Sequence, residues 1–183
     1  MARLVGILIC ASLIAACSAQ PQANAAAASP DTQAAESVHP TSGLAIIDVT
    51  VQSGDQTHTF RTEIAATPQQ QARGMMFRTE MGDNEAMLFP SDLPAPRSFW
   101  MKNTPLSLDI VFIRQDGTIS NIAERAEPYS EKSNLSDGPV IAVLELRGGR
   151  AEELGIGPGD KVIWELPKPA ADPATNAGAN SDE

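Results

Sequence analysis

The 183-residue sequence is poor in the side chains on which several common chemistries depend. Its only histidines are His39 and His58. A Ser-His-Asp triad or a histidine zinc site therefore has almost no material, the more so because His39 falls in a segment that reads as linker. There are two Trp, one Tyr and five Phe. So few aromatics argue against the sugar-stacking cleft that paired carboxylates need for glycoside hydrolysis. Basic residues are outnumbered, 13 against 23 acidic, for a net charge of -10. Lys and Arg are scattered singly, so nothing local offsets a charge that repels phosphate backbones, and nucleic-acid binding is not expected. The glycine-rich run Gly155-Ile156-Gly157-Pro158-Gly159-Asp160 lacks a following Gly-Lys-Ser/Thr, and Pro158 removes an amide donor. It reads as a turn pair feeding a strand, not as a phosphate loop. No cofactor is implied by any motif.

Cysteine is equally scarce, at positions 10 and 17. Arg3 followed by the apolar run from Leu4 to Ala16 has the form of a secretory signal, too short to span a membrane as a permanent helix. Leu13-Ile14-Ala15-Ala16-Cys17 resembles the lipobox of bacterial lipoproteins, which implies lipid attachment at Cys17 and cleavage just before it. The alternative is ordinary signal cleavage near Ala19. Either way Cys10 is removed, and at most one remaining thiol excludes a disulfide framework within a monomer. Ser18 after the Cys implies, for a lipoprotein, sorting to the outer membrane of a Gram-negative cell. The expected location is thus the cell envelope, on the periplasmic side, with the membrane as partner through the lipid.

Composition divides the rest of the chain. After the signal (1–16), residues 17–43 are mostly Ala, Gln, Pro, Ser and Thr, with little to bury, and read as a tether. Residues 167–183 read as a tail of the same kind. Between them, 44–166 form one expected domain without internal repeats. Period-two apolar patterns predict strands over 44–51 and 57–64 around a Ser53-Gly54-Asp55 turn, then at 86–89, 98–101, 106–114, 118–123, 139–146 and 161–166. Thr67-Pro68-Gln69-Gln70 supplies an N-cap, a first-turn proline and a capping-box glutamine, with Gly74 as the stop. A second helical turn is expected over 150–154. The pattern predicts a mainly β (α+β) fold: a compact, mostly antiparallel barrel or rolled sheet of about seven short strands with one or two short helices.

Two carboxylates stand out within apolar strands. Asp109 shares a strand face with Val111 and Ile113, and Glu145 shares one with Ile141 and Val143. A buried carboxylate needs a partner or a raised pKa, and Lys102, Asn103 and Arg73 are candidate partners. The cluster reads either as a structural ion pair or as a polar group at the mouth of a pocket. The methionines are the second oddity, because all five beyond Met1 lie between 75 and 101. Thioethers such as those of Met76, Met87 and Met101 bind Cu(I) in oxidising compartments, but methionine also fills irregular core gaps, and no regular spacing is present.

These residues have a wider resemblance. Arg73-Gly74-Met75-Met76, Met87-Leu88-Phe89, Ser98-Phe99-Trp100-Met101-Lys102-Asn103-Thr104, Leu108-Asp109, Val143-Leu144-Glu145, Leu154-Gly155-Ile156 and Gly159-Asp160 occur in this order in the domain of unknown function 192 family, which the chain resembles over Thr57 to Glu165. Met75 departs from the leucine usual there, which weakens a copper site built on that position. The family often follows a signal peptide or membrane anchor and brings no established activity. Its motif marks Arg73, Trp100, Lys102, Asn103, Asp109 and Glu145. A cation, an amide, carboxylates and one aromatic suit a small polar ligand and suit a structural network equally. Three readings follow: a non-catalytic envelope domain binding a small ligand or partner, an enzyme using Asp109 or Glu145 as base with Lys102 as stabiliser, and methionine-based copper handling.

Overall fold

The computed structural model describes residues 38–167. Cys17, the signal, most of the expected tether and all but the first residue of the expected tail lie outside the described residues. The chain opens with β1 (Ile46–Ser53) and β2 (Gln56–Ile64), a hairpin whose register pairs Ser53 with Gln56. The two-residue turn between them puts Gly54 at φ 55°, as tight hairpins require. Helix α1 (Pro68–Arg73) then forms as the sequence dictates. The Thr67 hydroxyl accepts from the Gln70 amide, the Gln70 side chain accepts from the Thr67 amide, and Gly74 closes the helix at φ 45°.

The next strand runs further than expected. β3 (Glu85–Ala95) continues through Pro90, beyond the strand expected at 86–89. β2 pairs in parallel with β3 only as far as Leu88, so Pro90 has no strand to serve with the amide it lacks. On its other side β3 pairs with a later strand, residues 140–146, with a register shift between Pro90 and Ala95. The ribbon β4 (Ser98–Phe99) follows, then β5 (Leu108–Ile113) and β6 (Ile119–Ala126). Last come β7 (Asn134–Leu135), β8 (Val140–Arg147), helix α2 (Arg150–Leu154) and β9 (Lys161–Trp164).

Seven strands form one mixed sheet in the order β6-β5-β8-β3-β2-β1-β9, while β4 and β7 pair separately. All pairings are antiparallel except β2 with β3, so the expected antiparallel sheet carries one parallel crossover through α1. The sheet is rolled. Its edges meet at a single bridge, Thr118 to Lys161, supported by the Val162 amide donating to the Gly117 carbonyl at 2.8 Å. That contact is too short a ladder to close a barrel.

Both faces of the central strands are buried. On β5, Val111 and Ile113 join a core inside the roll with Phe60, Leu88, Leu144 and Val162. Leu108, Ile110 and Phe112 join a second core on the outer face with Met87, Phe89, Met101 and Val143. Residues 38–43, expected in the tether, are packed against the fold. Val38 bridges to Ala45, and the buried Glu63 carboxylate meets Arg78 at 2.9 Å, the Ser42 hydroxyl, and His39 at 3.6 Å.

Asp109 projects into the inner side of β5 with no exposure to solvent. Its Oδ1 accepts from the amides of Arg125 (2.7 Å) and Gly149 (2.9 Å), and its Oδ2 from that of Ala151 (2.9 Å). None of the charged or amide side chains expected beside it is its partner. The carboxylate instead caps the start of α2, whose own N-cap, Gly149, has no side chain to do so. The turn comes this close because Gly148 has no Cβ. One placed there would lie 2.9 Å from the Ser107 carbonyl carbon. Removing the carboxylate leaves three backbone amides without their acceptor, those of Gly149 and Ala151 buried, so Asp109→Ala is expected to cost about 3–5 kcal/mol in urea unfolding. A loss of less than about 1 kcal/mol contradicts this structural role.

Candidate functional site

The second carboxylate is disposed of differently. Glu145 lies on β8 opposite Met87 on one neighbouring strand and Ile110 on the other, so it shares the outer face with them. Asp109 pairs with Leu146 and therefore points to the inner side. The two carboxylates flank the same sheet on opposite faces and cannot act as an acid/base pair on one ligand.

Glu145 is 4% exposed, and its Oε2 makes no hydrogen bond. No cation is paired with it among the described residues. Burial alone pushes its carboxyl up to about 8, so it holds its proton at neutral pH. The side chain lines a cleft of about 320 Å³ on the outer face. Phe89, Phe99 and Met75 give that cleft an apolar floor. Phe99 stands edge-on to Phe89 at 5.1 Å between centroids and to Phe112 at 6.2 Å, which fixes the floor rigidly.

The walls are polar and cationic. The end of α1 brings Arg73, whose exposed side chain has no hydrogen bond or ion pair among the described residues. Gly74 beside it has ψ -134° at positive φ, a conformation that side-chain-bearing residues resist. The opposite wall runs from Arg97 to Thr104. Arg97 donates to the Gln71 side chain at 3.0 Å and lies 6.0 Å from the Phe99 ring centre. Lys102 sits 5.1 Å over the Trp100 ring and 3.8 Å from Glu131. Trp100 remains 49% exposed at the rim.

The structure therefore brings together Arg73, Trp100, Lys102 and Glu145 from the six residues singled out by sequence. Asp109 is excluded by its position on the inner face. Asn103 serves the loop rather than the cleft wall. It adopts φ 56°, a left-handed conformation that Asn tolerates, and its carbonyl accepts from the Phe77 amide at 2.8 Å. Phe77 (φ 65°) and Tyr129 (φ 61°) are also left-handed, and the Tyr129 amide donates to the Thr104 carbonyl. Bulky residues rarely adopt this conformation, so the turn that carries Lys102 is braced on two strained neighbours. Sequence reasoning missed Arg97 and Gln71. The Arg97–Phe99 spacing on an extended segment was the available signal, because alternate residues share a face.

The methionines divide. Met87 and Met101 are each 1% exposed within the outer core, which supports packing as their role. Met76 lies at the cleft wall, with the Asn103 amide 3.9 Å from its sulfur. Among the described residues, no group of three or more His, Cys, Asp or Glu side chains is placed to hold a metal ion.

Comparison with known proteins gives this arrangement a family. The model of the domain of unknown function 192 family (DUF192, "Uncharacterized ACR") matches residues 49–164. The chain belongs to that family. A crystal structure of a protein of unknown function from Novosphingobium aromaticivorans is 51% identical. It superposes with a TM-score of 0.68 over 69% of this chain and 91% of its own. A Sinorhizobium meliloti protein described as a "putative transcription regulator" is 40% identical, with a TM-score of 0.65 over 66% of this chain and 95% of its own. No protein with a curated description matches.

The raised Glu145 pKa has a measurable cost. A carboxyl titrating near 4.5 in the unfolded chain and near 8 in the fold binds more protons when folded between those values. The contribution of Glu145 to stability is therefore full below about pH 4.5, falls by about 1.4 kcal/mol per pH unit through the window, and levels off above about 8. Urea unfolding across this range is expected to show that slope in the native protein and to lose it in Glu145→Gln.

Proposed function

We propose that this DUF192 protein is a non-catalytic envelope domain that binds a small polar ligand in the outer-face cleft. The observation that carries the reading is the Glu145 carboxyl. A buried polar group without a partner is costly, and proteins keep such groups mostly where a ligand or reaction uses them. Here it lies in a cleft with an apolar floor, a guanidinium unpaired among the described residues and a half-exposed tryptophan, the usual composition of a small-molecule site. The cleft is small enough to select its ligand by shape as well as by charge.

The lipobox-like segment ending at Cys17 supports an anchored location, on the periplasmic face of the outer membrane in a Gram-negative host. A regulatory role on DNA, as the description of the Sinorhizobium protein suggests, gains nothing from a net charge of -10. One observation favours a second reading. A carboxyl poised near neutral pH in an open cleft suits a general acid, with Lys102 stabilising developing negative charge. Asp109 has no part in that reading, since backbone amides occupy its oxygens.

Two experiments address these claims. Native mass spectrometry of the full-length protein, gently extracted from envelopes, is expected to show an added small-molecule mass. That mass should disappear in the Arg73→Ala, Trp100→Ala double variant. A bare polypeptide mass in the native protein contradicts a tightly held ligand. Separately, Cys17→Ser is expected to abolish labelling by radioactive palmitate and to release the protein from the membrane fraction. Unchanged labelling rules out Cys17 as the anchor.

A further inference from the structure

The charge around the cleft narrows the ligand class. We propose that the cleft binds a small monocarboxylate with an apolar body, its carboxylate lying between the Arg73 guanidinium and the Glu145 carboxyl. This inference rests on the ligand-site reading above and specifies its chemistry.

Three observations lead there. First, Glu145 offers an O–H rather than a negative charge, because nothing near it compensates an anion in so buried a place. A carboxyl O–H donates best to an anionic oxygen, and the resulting hydrogen bond is charge-assisted. Second, the cations on the walls are not equivalent. Arg97 is engaged by Gln71 and stacks toward Phe99, and Lys102 is held between Trp100 and Glu131. Arg73 alone of the three has a side chain without a hydrogen bond or ion pair among the described residues, and its planar guanidinium fork matches one carboxylate. Third, the floor of Phe89, Phe99 and Met75 is apolar and accepts an apolar ring or chain, while the polar groups of the cleft stand on its walls. A cationic ligand fails on the same geometry. It would approach Arg73 and Lys102 and would require Glu145 to ionise first.

Benzoate is a suitable probe because it stays ionised throughout the relevant pH range. Benzylamine, benzamide and inorganic phosphate serve as charge and shape controls. Binding to the full chain is followed by NMR at the Glu145 side-chain carboxyl and the Trp100 indole. Benzoate is expected to shift both signals saturably at neutral pH. Its affinity is expected to fall about tenfold per pH unit above about pH 8, as the carboxyl loses its proton. Arg73→Ala, an exposed substitution, should weaken binding by about tenfold or more. Glu145→Gln, which keeps an N–H donor, should still bind and should lose the pH dependence. Binding of benzylamine, benzamide or phosphate in place of benzoate, or benzoate affinity that rises with pH, overturns the monocarboxylate assignment and leaves the ligand site standing. Signals unmoved by all four probes overturn both.

Discussion

Strands β5 and β8 are buried on both faces, and this constraint governs everything else in the molecule. A strand with one wet face can carry a carboxylate at no cost by turning it to solvent. These strands have no such face, because the roll encloses one side and Leu44, Met75, Phe99, Met101 and Leu106 pack over the other. Each carboxylate on them must therefore be neutralised by something specific. Asp109 has its oxygens taken up by three backbone amides around the start of α2. Glu145, one pleat away on the opposite face, meets no donor and keeps its proton instead. One residue type of chemistry thus yields a structural clamp on one face and a reactive-looking group on the other.

The clamp and the cleft are linked through the sheet. Asp109 fixes the turn after β8, and β8 fixes the height at which Glu145 enters the cleft. The outer layer then has two jobs. It closes over Met87, Phe89 and Met101 to complete the second core, and it leaves a gap above Glu145 between the end of α1 and the 97–104 wall. The wall is stiff, with its aromatic floor in edge-on contact and its turn braced by left-handed residues at 77, 103 and 129. Such a site is formed before any ligand arrives, which limits the ordering cost of binding.

Local signals in the sequence were legible and correct where the physics is local. The capping box at Thr67 and Gln70, the Gly54 turn and the alternation in β5 each specify their element without help from distant residues. The burial of Asp109 and Glu145 was legible for the same reason. Their partners were not. Asp109 is satisfied by main-chain amides, which every residue possesses, so no side-chain pattern announces them. Placement on opposite faces depends on β5 and β8 pairing Ile110 with Glu145, a register that single-strand periodicity does not contain. Pro90 misled because proline forbids a central strand position but permits one beyond the end of a neighbour. Residues 38–43 look like linker by composition, yet the long-range contacts of His39 and Ser42 with Glu63 hold them to the fold. Asn103 takes a left-handed backbone conformation in its loop, a demand of the folded turn that the sequence alone does not announce.

The central claim is that Glu145 is a neutral acid at physiological pH because its surroundings give a charge nowhere to go. A carbon-13 NMR titration of the Glu145 side-chain carboxyl in the full chain tests it most directly. The account predicts a midpoint near pH 8, well separated from the other glutamates. A midpoint in the ordinary glutamate range would mean that an unseen partner stabilises the charged form, and the reading of the cleft would fall with it.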